Sequence, residues 1–501
     1  MLALEETITN APANEKSGGS FLAAVLKLLC SVRLGVGLLM AIGVLCFIGM
    51  LIMQQNVDGF DRYFAELTPS QRLTYGRLGL FDIYNAWYFN ALLGLLSLNI
   101  ILSSIERFPK TWLFVAKPSA TVPVRWLREQ TAAVNFTVKG ESGQIADVIA
   151  GEMKKEGWKR TIIREKNGTT FVFGQSGVWN RFAYLLVHTA LLIIFLGGFL
   201  TAQMGSTGQI PLAPGESSDL MRELVVDLDR TSEVTKRLPF EVICTDIQQK
   251  LIRNDGPISA GNTIDWLTHF QIRDETGTHD AFVQMNKPFD HRGYRFFQAS
   301  FTHVGRARSI TVRLTPESGD GHEDIIIPRN GAVTLPDGKT IRFSEFRGNL
   351  TSGAEDPFED TSSYPNPAAV LQIFQPGEVP LTAYAAGPQF KDQPLAKKNV
   401  AGYTFQLIDF EKVSDRHILA VQRDPGANVV YIGFAALFIT LMGVFVFSHQ
   451  RVWAAIEKIG DGEHRVTVAG NANRNQNGLG DKVERFIGGL RTRKPEGISD
   501  E

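Results

Sequence analysis

The sequence predicts an α-helical membrane protein with four transmembrane helices, a large β-rich, sandwich-like extracytoplasmic domain and a small α+β cytoplasmic domain. Three observations predict it. Residues 34–53, 86–105, 182–202 and 429–448 contain no Asp, Glu, Lys or Arg, and each is long enough to cross a ~30 Å hydrocarbon layer as a helix that satisfies its own backbone. Between the last two spans lies a polar block, 203–428, of short alternating segments. Lysine and arginine crowd into 106–181 and the chain after the fourth span, whereas 54–85 carries only Arg62, Arg72 and Arg77 against four acids. By the positive-inside rule both termini and 106–181 are cytoplasmic, and 54–85 and 203–428 face the other side.

The elements follow in order. Within the N-terminal tail 1–33, the apolar run 21–29 is broken by Lys27 and predicts an interfacial helix rather than a fifth crossing. Acidic Glu5 and Glu6 and the lack of a small-residue cleavage site argue against a secretory signal or transit peptide, which points to a bacterial cytoplasmic (inner) membrane. The first span (34–53) is followed by the external loop 54–85. The second span (86–105) holds two amides, Asn90 and Asn99, which predict contacts to neighbouring helices. Segment 106–181 reads as a β-α-β-β unit: alternation over 133–138, helical spacing of Ile145, Val148, Ile149 and Met153, then two strands around Asn167-Gly168. The third span is 182–202. In 203–428, strands are predicted at 238–245, 265–272, 279–285, 294–301, 309–314, 324–327, 340–346, 369–374 and 403–410, with turns at Asp274–Gly277 and Pro336-Asp337-Gly338. Residues 348–366, acidic and turn-rich, read as a mobile surface loop. The fourth span is 429–448, and the tail 449–501, rich in Asn and Gly after Arg465, reads as partly disordered.

Composition excludes several functions. A net charge of −1 and a pI near 6.8 exclude a typical nucleic-acid binder. Of three cysteines, only Cys244 lies in the polar block, so no intramolecular disulfide forms there, and its place in the alternation around Phe240–Cys244 reads as a buried small hydrophobe. No Cys-x-x-Cys, Walker loop, Gly-x-Ser-x-Gly or dinucleotide fingerprint is present, and no nucleophile–base set predicts a catalytic residue.

His188 is the sharpest residue, a single imidazole within the third span and nearer its cytoplasmic end. An intramembrane ionisable group marks a ligand, a pathway or an interhelical bond; the structural alternative is a hydrogen bond to Asn99, Ser97 or a backbone carbonyl. Neutral imidazole is also a natural axial ligand of heme iron. His417, shortly before the fourth span, and His449, at its inner end, are weaker cofactor candidates, for which a headgroup or helix-end role is the alternative. The remaining histidines show no metal-ligand spacing.

Local text then points to a family. Ser31-Val32-Arg33-Leu34, the run Phe81–Phe89, Leu98-Asn99-Ile100-Ile101 and Glu106-Arg107, Asn286-Lys287-Pro288 with Gly293–Ser300, and Arg423-Asp424-Pro425-Gly426 with His449-Gln450-Arg451-Val452-Trp453 resemble the ResB (CcsB) proteins of System II cytochrome c maturation. The span order is similar too. The resemblance implies a subunit of the membrane cytochrome c synthase complex. Such a subunit helps carry heme b, held non-covalently in transit, across the membrane and presents it with apocytochrome c for thioether attachment. It implies His188 as one axial ligand of the heme iron. It also implies a CcsA/ResC-type Trp-rich partner that supplies the opposing histidine, since this chain has no Trp-Trp-Asp sequence, and it allows thioredoxin-like thiol-reducing partners. The competing reading is a membrane-anchored receptor or scaffold with an external ligand-binding domain. It would purify colourless, whereas the first reading predicts a heme absorbance band.

Overall fold

In a computed structural model, residues 21–57, 59–130, 132–318, 321–350, 360–390 and 393–492 are described. They fall into two compact units, one within residues 21–48, 84–203 and 426–492, the other within 49–83 and 204–425.

In the first unit, α1 (Phe21–Leu29) leads through Cys30 and Ser31 into α2 (Val32–Leu51). Asn99 explains the break. Its amide donates to the carbonyls of Leu29 (2.5 Å) and Ser31 (3.1 Å), of which the first is a helix-end group that lacks an intrahelical partner. Gly35 admits the approach, since a Cβ there would strike the Asn99 Oδ1. Asn90 instead donates to Asn85 and Ala86 at the start of its own helix. With α3 (Phe60–Glu66) and α4 (Pro69–Arg77) in the second unit, the next helix is α5 (Trp87–Ala116). It runs past the predicted end at 105 because charge ended the apolar stretch without ending the backbone's helical preference. Even Pro109 lies inside it.

The small α+β unit comprises β1 (Val134–Lys139), α6 (Ser142–Lys155), β2 (Arg160–Lys166) and β3 (Thr169–Ser176), as predicted. The tail corrects the rest. Beyond α7 (Ala183–Met204) and the β-rich unit comes α8 (Ala427–Val446), then β19 (Gln450–Gly460), β20 (Glu463–Ala472) and α9 (Gln476–Thr492). The sheet order is β1-β20-β19-β3-β2, with Val134 opposite Val468 and Trp453 opposite Phe173. The tail is therefore folded to Thr492, not disordered after Arg465; only 493–501 lie outside the described residues. Alternation of Val466 and Val468 into the core, and the apolar stripe Leu479, Val483, Phe486 and Leu490, hold it there with Ile149, Met153 and Trp158.

Helices α2, α5, α7 and α8 are long and apolar enough to cross a membrane. Helix α7 packs closely on α8 through small residues: a Cβ on Gly197 would lie 2.6 Å from Val430, and one on Gly433 2.6 Å from Ile194. Its other side meets α2 and α5 through Leu192, Phe195, Leu38, Leu96 and Ile100.

The second unit holds β4 (Ser206–Leu212), β5 (Ser217–Asp227), β6 (Arg230–Leu251), β7 (Thr263–Asp274), β8 (Gly277–Gln284), β9 (Phe289–His291), β10 (Tyr294–Phe301), β11 (Gly305–Pro316), β12 (Glu323–Pro328), β13 (Ala332–Thr334), β14 (Thr340–Arg347), β15 (Ala368–Phe374), β16 (Leu381–Ala386), β17 (Tyr403–Ser414) and β18 (His417–Arg423). The predicted strands are present, but the sandwich is corrected. One sheet runs β8-β7-β6-β5-β4-β18-β10-β9, the other β12-β11-β17-β16-β15-β14-β13. The two end strands of each come back into contact, so each sheet curls around a core of its own. Val242, Phe270, Phe296 and Leu419 fill the first; Ile310, Ile341, Leu371 and Leu407 fill the second. Sheet twist favours such closure, which also removes exposed edges.

The predicted mobile loop is described only at its flanks, residues 351–359 lying outside the described set. Its returning limb is not a surface loop: Tyr364 is buried, with its hydroxyl 2.8 and 2.9 Å from the carbonyls of Arg306 and Val413. Segment 49–83 joins this unit. Gln54 bonds Ile52, Leu80 and Ile83, the Gln55 side chain accepts from the Val226 amide, and Phe60, Phe64 and Phe81 pack with Leu224 and Val226.

Candidate functional site

His188 sits on α7 facing α5. Its partner is Ser104, not the expected Asn99 or Ser97: Ser104 Oγ lies 2.8 Å from His188 Nδ1 and donates to the Ile100 carbonyl at 2.6 Å. Ser97 bonds Leu93 within its own helix. A hydroxyl has one proton. With that proton on the Ile100 carbonyl, Ser104 accepts from Nδ1–H, which fixes the tautomer and leaves the Nε2 lone pair free. Among the described residues no protein group bonds Nε2, and the ring is only partly buried. The Tyr184 ring stands edge-on at 5.9 Å, and its buried hydroxyl has no hydrogen-bond partner among the described residues.

Sequence reasoning missed Ser104 and Tyr184. The signal is position along the helix: Ser104 is two residues from Glu106, where the charge-free stretch of its helix ends, and His188 is a few residues from Arg181, where that of its own begins. Matching position along antiparallel helices pairs them; favouring the stronger hydrogen-bonding amide did not.

His449 lies at the junction of α8 with the five-stranded sheet. Arg181 Nε donates to its Nδ1 at 2.9 Å, Gln175 Oε1 lies 3.4 Å from Nε2, and its backbone amide donates to Asn473. Phe114 packs edge-on against it, flanked by the Arg181 and Arg451 guanidiniums at 4.8 and 4.7 Å. Burial, then the charges of Arg181 and Arg451, lower its pKa to about 3. It is a neutral imidazole with both nitrogens engaged, which leaves it no lone pair for iron.

His417 opens β18 and is fully buried in the β-rich unit. Thr268 Oγ1 and Gln298 Nε2 lie 2.8 and 3.0 Å from Nδ1, and Nε2 has no partner among the described residues. Burial lowers its pKa to about 3. Enclosed within the strand core, it leaves no space for a macrocycle. The other histidines are dispersed: His269 stacks on Phe282, and His291 bonds Asp274 at 3.0 Å. Among the described residues no cluster of His, Cys, Asp and Glu could hold a metal. Cys244 is buried, and burial, then Asp246, push its thiol up to about 12, as its reading as a small hydrophobe requires.

The three histidines named from the sequence are therefore not brought together, and His188 alone presents a free nitrogen on an accessible face. The residues around it fit a heme ligand: a neutral imidazole with a bonded Nδ1–H is the donor that iron takes.

The model of the ResB-like family matches residues 32–484. The chain is 26% identical over 464 residues to the cytochrome c biogenesis protein CcsB of Synechococcus sp. (strain CC9605), covering 88% of this chain and 91% of that one. It is 23% identical over 492 residues to the protein of the same name from Gloeobacter violaceus, covering 93% and 90%.

Proposed function

The chain belongs to the ResB-like family, and on that premise we propose that it is a membrane subunit of cytochrome c biogenesis that holds heme b in transit through His188. Heme is cargo here. The chain's own part is to offer one imidazole nitrogen from a helix clamped on both sides, so that the ligand does not swing away. Ser104 holds the ring's orientation and tautomer. His188 lies on an open face, so the other wall of the site belongs to a second protein, in this reading the Trp-rich CcsA/ResC-type subunit with the opposing histidine. The supporting observation is the Ser104–His188 pair with its unspent Nε2.

In the same proposal the membrane is the bacterial cytoplasmic membrane, with both termini and the five-stranded sheet cytoplasmic and the β-rich unit outside. Parity supports this. Four crossings put 54–85 and 203–428 on one side and 106–181 and the tail on the other. The chain folds in those pairs, with Gln55 on Val226 and β1 on β20. Heme made in the cytoplasm would meet His188 near the inner surface, and the β-rich unit would stand beside apocytochrome c where thioether attachment occurs. Thioredoxin-like reductants would keep the apocytochrome thiols free.

The test is the absorbance of the purified complex. A bis-histidine Soret band is expected. His188→Ala should abolish or shift it, and added imidazole should restore it in part by occupying the vacated coordination position. An unchanged spectrum in His188→Ala would remove this residue from the iron.

A further inference from the structure

A cavity of about 630 Å³ opens in the β-rich unit between β6 and β11, within the range of small-ligand sites. Both walls are irregular at this place. Strand register shifts between Cys244 and Asp246 on β6 and between Ala307 and Ser309 on β11, so Thr245 and Arg308 are bulged residues, a device that re-aims side chains.

The charges lining the cavity are unevenly spent. Arg308 is fully used: its Nε and its NH2 nitrogen grip Asp246 at 3.0 and 2.9 Å, and its NH1 nitrogen bonds Glu411 at 3.1 Å. Arg329 is not. Among the described residues its guanidinium makes two hydrogen bonds, both 3.5 Å long, to the carbonyl and the carboxylate of Asp415. That carboxylate is held more closely by Arg306 at 3.1 Å and also met by Arg416 at 3.4 Å. Arg416 has Glu216 of its own at 2.7 Å, so Arg306 and Arg329 divide the Asp415 carboxylate between them, and Arg329 is the farther of the two. Its side chain is 20% exposed, and burial holds its pKa below the usual arginine value, the mark of a cation short of partners. Next to it the Asn330 amide reaches, among the described residues, the Pro214 carbonyl alone, at 3.5 Å. The Cys244 thiol on the cavity wall stays protonated and adds no negative charge.

We propose that this cavity is a carboxylate-binding site in which the Arg329 guanidinium takes the carboxylate through its planar fork and the Asn330 amide adds a further donor. The fork matches carboxylate geometry. The opposite wall, where Asp246 and Glu411 share one arginine, disfavours a dianion such as phosphate. The site is independent of heme ligation by His188. Its carboxylate could come from a small metabolite or from an acidic side chain of a polypeptide.

Binding to the full-length protein in detergent, by calorimetry, tests this with four probes: N-acetylglycine, the capped peptide acetyl-Gly-Glu-Gly-amide, its Gln counterpart, and inorganic phosphate. Saturable binding of N-acetylglycine or of the Glu peptide is expected, with the Gln peptide silent. Preference between the two binders identifies the source. Arg329→Gln should weaken binding at least about ten-fold, and Arg329→Lys by less. Should Arg329→Gln fail to fold, Ser309→Leu fills the cavity and should abolish binding while leaving the guanidiniums in place. Three results overturn the proposal: no saturable binding by either carboxylate, equal binding in the variants, or phosphate binding as tightly as the carboxylates.

Discussion

His188 and His449 belong to the same unit, and each is held through Nδ1 by one side chain from a neighbouring element, Ser104 for the first and Arg181 for the second. The second nitrogen separates them. At His449, Arg181 donates, so Nδ1 must accept and Nε2 must carry the proton toward Gln175. At His188, Nδ1 carries the proton and Nε2 keeps its lone pair. The two histidines are thus opposite tautomers, and of the two only His188 keeps a ring nitrogen without a protein partner among the described residues. Closeness to the membrane is not what makes a ligand; unspent hydrogen-bonding capacity facing open space is.

The largest effect that sharpens this contrast is acid sensitivity. His417 and His449 are both held near a pKa of 3, against 6.5 for an unperturbed histidine. Folded values below the unfolded one mean that the unfolded chain binds more protons between about pH 6.5 and 3. Stability is therefore full above 6.5 and falls as pH drops through that window. At ~1.4 kcal/mol per pKa unit, each site sets an upper bound of roughly 5 kcal/mol by pH 3. Thermal denaturation of the intact protein from pH 7 to 4 should show the loss, and His417→Leu should flatten it. A slope left undiminished in both His417→Leu and His449→Leu would mean these imidazoles are not buried in the neutral form.

Next in size is His449→Leu at pH 7. It removes the acceptor of the Arg181 Nε–H and the link to Gln175, and an interaction involving a charged donor is worth about 1.5–3 kcal/mol. The variant should melt earlier by that amount, yet retain the full Soret band per folded molecule, the reverse of His188→Ala. Loss of the band at full folded yield would put His449 on the iron and erase the distinction between the two sites.

How much of this was legible follows from the range of each signal. Four spans were readable because the absence of charge over a bilayer's width is a local property. The strands around Phe270 or Ile341 were readable from alternation. Strand β4 was not, since Gly205 alone separates it from α7, too short a break to mark a new element. Strand β20 and α9 were hidden by Asn471, Asn473, Asn475, Gly478 and Gly480, a composition that also marks disorder; their burial comes from pairing with Val134, more than three hundred residues earlier. No local pattern carries such a pairing, and the same blindness made two curled sheets look like one sandwich. At the site, His188 was legible as a lone ionisable group in an apolar stretch. Ser104 was not, because a serine near a helix end has many ordinary roles, and its hydroxyl becomes informative only once a second helix brings an imidazole within 2.8 Å.

The smallest expected effect tests that pair most directly. Ser104→Ala removes the acceptor for Nδ1–H and leaves the imidazole, its helix and its packing unchanged. Partners that orient a metal-bound histidine contribute about 10–100-fold to metal affinity. Heme should therefore still bind, with its Soret band near the original position, but leave about 10–100-fold faster when a scavenging apoprotein is added in excess. Ser104→Thr keeps the hydroxyl and should recover most of the retention. Imidazole should have little effect on Ser104→Ala, in which the ligand is present but loosely aimed, and a large one on His188→Ala, where it is missing. An exit rate in Ser104→Ala equal to that of the unmodified protein would show that the hydroxyl does not set the ring. The tautomer that the proposed ligand role of His188 requires would then need a different cause.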